Sequence, residues 1–242
     1  MDLRAVKAAT GPELAVGAAA AAKNASELLR DAEVLARAHH SARAYSLAAL
    51  AVEEVGKAVS LAALGIMPDT LKAQAPVGRM LEWHQLKQAM GQLIAVVPYG
   101  PPGLACKLLA VPEADLAQIL SAFEVPAEEA DRLKRSGFYV DISRGGRVCE
   151  PSEITESEVT SQLARARRAV GSAGTLREPD EHARLVIPSA EGVELTHAAV
   201  SALAEVGCAR SPDAAADVII NMVCKLREQL PPSPQLMGPS HS

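Results

Sequence analysis

Apolar residues recur along this chain at alternating steps of three and four, the spacing of helices that bury one face. Thr10, with Pro12 and Glu13 behind it, reads as a helix start. The first helix is expected over about 12–38, with Leu28, Ala32 and Leu35 on one side. The pair His39–His40 interrupts the pattern, and a second helix is expected over 41–64, stopped by Gly65 with Pro68 beyond. So short a connection predicts an antiparallel hairpin.

A third helix is expected over about 77–97, with Trp83, Leu86, Met90, Leu93 and Val97 as its apolar stripe and Met80, His84, Lys87, Gly91 and Ile94 beside it. Shorter helices follow at 113–123 and 127–135. The stretch "SGFYVDISRGGRVCEP" (136–151) alternates apolar positions before a Gly-Gly pair, which reads as a small hairpin or extended loop. A helix over 155–171 begins with acidic "TESE" and ends among Arg165, Arg167 and Arg168, as the helix dipole prefers. Residues 172–187 read as loop, 189–206 and 212–230 as helices, and 231–242 as a disordered tail. The expectation is an all-α protein: a helical domain over 1–171, a helical extension over 172–230 packed on it, and the tail.

Composition agrees: aromatics are 2% and alanine runs are frequent, which suits helices packed closely through small side chains. The net charge of −5 argues against a general nucleic-acid coat, which needs a basic surface. It leaves room for a local site. Cys106, Cys149, Cys208 and Cys224 are widely spaced, so neither a disulfide framework nor a zinc site is expected. The stretch "LAVGAAAAA" lacks strong hydrophobes and runs on into an amphipathic helix, and no run reaches the length of a membrane span. A cytoplasmic protein without membrane contact is expected.

The second helix raises the chemical question. One stripe runs Leu47, Leu50, Glu54, Lys57, Leu61, Leu64, placing two charges at leucine positions. Another runs Ala48, Val52, Val55, Val59, Ala62. Glu53 shares a small, partly polar face with Ala49, Gly56, Ser60 and Ala63, and is expected to be solvated. Glu54-x-x-Lys57 on this helix and His84-x-x-Lys87 on the next each put both members on one face. Packed side by side, they would converge a carboxylate, an imidazole and two ammonium groups, a set suited to acid–base work on a phosphate-bearing substrate. The alternative is a buried salt-bridge network that fixes helix register. A di-iron bundle would want Glu-x-x-His on two helices, which neither supplies, so no metal and no cofactor are expected. Arg-x-x-x-x-His occurs twice, at Arg79/His84 and at Arg177/His182. A separation of five on a helix sets the first pair about 140° apart, and the second lies in a proline-containing loop.

Three stretches carry a resemblance. "LLRDAEVLARAHHSARAYSLAALAVEEVGKA" (28–58), "WHQLK" (83–87) and "RSGFYVDISRGGRVCEPSEI" (135–154) resemble, in that order, the AbiV family of abortive-infection proteins, of the HEPN-like helical superfamily. The resemblance covers roughly 13–170 and falls on Glu53, Glu54, Gly56, Lys57, His84, Lys87, Tyr139 and Asp141. It implies a HEPN-like bundle, a bacterial defence role against phage, and a homodimer. The superfamily contains many metal-independent RNases, in which an Arg-x4-6-His motif promotes attack of a ribose 2′-OH on its own phosphate. The departure here is that this motif, usual on a late helix, is represented only by the two pairs above.

Two functions follow as expectations. One is an RNA-cleaving enzyme, with His84 as acid or base, Lys57 and Lys87 on phosphate, Glu54 orienting its neighbours, and Glu53, Arg79, Tyr139 and Asp141 in binding roles. The other is a non-catalytic effector that binds a phage or host protein, with a purely structural charge cluster. No DNA substrate is expected.

Overall fold

The protein was described from a computed structural model over residues 2–66, 81–96, 127–142, 146, 148–149, 154–174 and 221. The expectations for 113–123, 189–206, the tail, Arg79 and the Arg177/His182 pair lie outside these residues, and of 212–230 only residue 221, which is helical, is among them.

A short helix not read from the pattern, α1 (Leu3–Ala8), opens the chain, its N-cap Asp2 accepting from the Arg4 and Ala5 amides. α2 (Gly11–Arg37) starts where Thr10 predicts: the Thr10 side chain accepts from the Glu13 amide while the Glu13 carboxylate accepts from the Thr10 amide. Its end is unusual in residue type. His39 takes the left-handed conformation at φ 59°, with its N–H on the Ala36 carbonyl and the His40 N–H on that of Leu35. This is the paired-bond helix stop in which glycine is usual.

α3 (Ser41–Ile66) then runs back along α2. The start of α2 meets the end of α3: a Cβ on Gly11 would lie 2.7 Å from the Gly65 carbonyl oxygen. The seam is largely alanine, with Ala18, Ala21, Ala22, Ala25 and Ala32 buried on α2 and Ala44, Ala48, Ala51, Ala58 and Ala62 on α3. Side chains this small let two backbones close in along their whole length.

The third long helix does not run unbroken. Leu81 and Glu82 are helical, Trp83 is not, and α4 (His84–Val96) begins afresh with the Lys87 N–H on the Trp83 carbonyl. Nor is it buried on one stripe alone: Leu86, Lys87, Gln88, Ala89, Met90, Gln92, Ile94 and Ala95 are all buried. The cause is its position, in contact with α3, with α5 (Ala127–Ser136) and with α6 (Glu156–Ser172). After α5, the expected hairpin forms as a minimal antiparallel pair, β1 (Asp141–Ile142) with β2 (Val148–Cys149), in register Asp141↔Cys149 and Ile142↔Val148. The described chain is otherwise helical, and the fold is all-α.

α6 begins at a second capping box, Thr155 with Glu158. It outruns the arginines that were expected to form its last turn. Arg165 is buried against Gln162, and Arg167 donates to Glu33 of α2 at 2.7 Å. The Arg167 pair ties α6 to α2, while Arg165 bonds within its own helix, and neither caps it.

Candidate functional site: a buried glutamate behind an exposed histidine

The small face of α3, read as partly solvated, is the interior face. α4 crosses it with backbones in contact: a Cβ on Gly56 would lie 2.0 Å from the Lys87 carbonyl oxygen, and one on Gly91 would lie 2.1 Å from that of Val52. Glycine is needed at both positions because anything larger would hold the helices apart. At the other end α5 is drawn in similarly, with Gly137 against the Ala42 carbonyl and Ser46, whose hydroxyl donates to the Lys134 carbonyl at 2.7 Å.

Three helices therefore meet around Glu53, which is 2% exposed. This corrects the expectation that it is solvated. Small neighbours on a helix face mark close approach by another helix as readily as contact with water. Both carboxylate oxygens are engaged. Oε2 lies 2.7 Å from His84 Nδ1 and 3.7 Å from Lys87 Nζ. Oε1 accepts from Lys134 Nζ in a short contact and from Gln88 Nε2 at 3.3 Å. Gln88 spends its other amide hydrogen on the Ala49 carbonyl, at 2.8 Å. His84, Lys87 and Gln88 stand at i, i+3 and i+4 on α4 and so reach the same point. An unpaired carboxylate here would cost several kcal/mol; two ammonium groups and two further hydrogen bonds offset that cost.

Glu54 and Lys57 form a separate pair, 3.3 Å apart and partly exposed. Adjacent residues on a helix lie about 100° apart, so only one of the two glutamates can face α4, and it is Glu53. The convergence expected of Glu54, Lys57, His84 and Lys87 is therefore replaced by one of Glu53, His84, Lys87 and Lys134.

Lys134 and Gln88 escaped the sequence reading. Lys134 sits in a helix rich in charged residues and immediately precedes the recognisable "RSGFYVD". Gln88 directly follows the H-x-x-K pair and carried no charge to attract notice.

The cluster opens on one side. His84 is about half exposed and lines a cleft of about 510 Å³ with Leu50, Lys134, Arg135, Phe138 and Tyr139. Tyr139 thus stands at the same opening as His84. Asp141 lies two residues on, in β1. Lys134 and Arg135 are on the cleft lining, and Lys134 and Lys87 stand beside the carboxylate of Glu53. Among the described residues no group of three or more His, Cys, Asp or Glu side chains could hold a metal ion, and no helix is long and apolar enough to cross a membrane.

No curated protein and no solved structure matches the chain. The family model described as AbiV, of the HEPN group, matches residues 13–171, more than half of the 242 and enclosing the buried glutamate, its partners and the cleft. The chain belongs to the AbiV family of HEPN proteins.

Proposed function

We propose that this protein is a cytoplasmic abortive-infection effector that cleaves RNA at the cleft beside His84. The observation that carries the reading is an exposed imidazole held by a buried carboxylate at the rim of an opening lined by Lys134 and Arg135. In this reaction His84 takes the proton of a ribose 2′-OH. The 2′-oxygen bonds to the adjacent phosphorus, the bond from phosphorus to the 5′-oxygen breaks, and the departing 5′-oxygen takes a proton from water, to which His84 returns the one it accepted. The products are a 2′,3′-cyclic phosphate and a 5′-hydroxyl. DNA lacks the 2′-OH and is not cleaved. Arg135 offsets phosphate charge at the mouth, and Tyr139 and Phe138 offer ring faces to an unpaired base. The working unit is a homodimer, as in the superfamily, and Arg79, five residues before His84, is the guanidinium best placed in sequence to complete such a site.

The test is incubation of the purified protein with total bacterial RNA in the presence of a chelator. Cleavage ending in cyclic phosphates, lost in His84→Ala with the fold intact, supports the reading; intact RNA opposes it. Light scattering that gives a monomer mass at high micromolar concentration would remove the dimer.

A second reading has its own observation. Phe138, Tyr139, Val140 and Val148 are exposed together around the hairpin, an apolar patch suited to a phage or host protein. The Glu53 cluster would then serve only to lock three helices. Protection that survives His84→Ala but fails in Val140→Asp would favour it.

A further inference from the structure

We propose that Glu53 is the positioning residue of this site: it holds His84 as the Nδ1–H tautomer and leaves Nε2 as the working nitrogen in the cleft. The functional part of this inference rests on the RNA reading; the tautomer does not.

An ionised carboxylate only accepts hydrogen bonds. The 2.7 Å contact with Glu53 Oε2 therefore assigns the proton to His84 Nδ1. Nε2 makes no hydrogen bond among the described residues. It is the only ring nitrogen left to take a proton from, or give one to, a molecule in the cleft.

What makes Glu53 a fixed partner is that it cannot move. Its side chain is 3% exposed, Lys134 and Gln88 hold Oε1, and Lys87 lies beside Oε2. The distance from α3 to α4 is set by the glycine contacts at Gly56 and Gly91 rather than by flexible side chains. Trp83 interrupts the preceding helical residues, so that His84 starts α4, and its ring stays at the surface while Leu86, Lys87 and Gln88 are buried. This arrangement also changes the part played by the lysines. Lys87 and Lys134 are buried against the carboxylate and keep its charge matched. They are partners of Glu53 first, and the phosphate-facing charge comes from Arg135.

The tautomer is read by long-range 1H–15N correlation spectra of the uniformly labelled full chain, at a pH where the ring is neutral. His40, exposed on the α2–α3 turn, and free histidine in solution serve as references. The expected result is His84 protonated at Nδ1 and bare at Nε2, against references dominated by the Nε2–H form that free imidazoles prefer. An Nε2–H signal for His84, or a mixture like that of the references, overturns the proposal without any variant. Where Glu53→Gln folds, with helical circular dichroism unchanged, it should release His84 toward the reference mixture. Its kcat on RNA should fall by about tenfold or more, as when the partner that orients a metal-bound histidine is removed, at nearly unchanged KM. Full kcat in that folded variant overturns the positioning role. If wild-type protein cleaves no RNA, the RNA reading falls and the wild-type spectrum alone decides the tautomer.

Discussion

Gly56 and Lys87 meet backbone to backbone: a Cβ added to Gly56 would lie 2.0 Å from the Lys87 carbonyl oxygen. The contact explains why a glycine follows the paired glutamates in the E-E-x-G-K stretch. It brings α4 close enough for His84, Lys87 and Gln88 to reach one carboxylate on α3.

Alanine at Gly56 should therefore be costly. The obstacle is a peptide group of another helix, which cannot swing aside, so the loss should be about 3 kcal/mol or more, the upper part of the range for overpacking. Gly91→Ala should behave alike, since its Cβ would meet the Val52 carbonyl at 2.1 Å. Gly171→Ala is the control. Nothing lies within 4 Å of its Cβ, and in the last turns of α6 alanine should raise stability by up to about 1 kcal/mol. Urea unfolding of the three variants ranks them, and equal effects would contradict the close crossing.

The two adjacent glutamates should separate just as clearly. Glu53→Ala leaves the buried ammonium groups of Lys87 and Lys134 without their carboxylate and should cost about 3–5 kcal/mol. Lys57→Ala breaks a partly exposed i,i+3 pair and should cost only about 0.3–0.5 kcal/mol. A melting temperature that falls further for Lys57→Ala than for Glu53→Ala would overturn the assignment of the interior face.

How far the sequence disclosed this arrangement follows from the kind of signal each residue carries. Helix starts are local, so Thr10–Glu13 was legible, and so were the long apolar runs of α2 and α3. The alternating segment beside Gly-Gly disclosed the hairpin. The inward glutamate was not legible, because hydropathy treats Gly56 and Ser60 as weakly polar, whereas packing treats them as space for another helix. Lys134 was hidden for a related reason: its helix is mostly charged, and only the packing of that helix against α3, seen where Gly137 meets Ser46, shows that this side chain is buried. The break at Trp83 leaves no mark in the apolar period, which continues through it.

His39 gives a test of local strain. It holds φ at 59° on an exposed turn, where a side chain costs about 1 kcal/mol and glycine costs nothing. Its loss removes only an exposed 3.8 Å approach to Glu156. Set against glycine's greater freedom when unfolded, His39→Gly should still raise stability, by about 0.5 kcal/mol, which corresponds to roughly 1–2 °C in Tm. A clear fall in Tm would mean that His39 has a tertiary role.

Tyr139 tests whether the cleft receives a base. Its ring is 67% exposed and its centroid lies 6.2 Å from that of Phe138, at 59° between planes. An aromatic left in water beside the exposed His84 contributes little to folding, so Tyr139→Ala should leave the melting temperature within about 1 °C, as expected for a surface position. Base–aromatic stacking contributes about 1–3 kcal/mol. Fluorescence anisotropy with a short labelled single-stranded RNA should accordingly show Kd rising by about five- to a hundredfold. Tyr139→Phe should bind almost as wild type, because stacking uses the ring face and not the hydroxyl. If Tyr139→Phe weakens binding as much as Tyr139→Ala, the hydroxyl is the contact and stacking is wrong. If neither changes Kd while Arg135→Ala does, the cleft holds phosphate alone, and the base lies elsewhere.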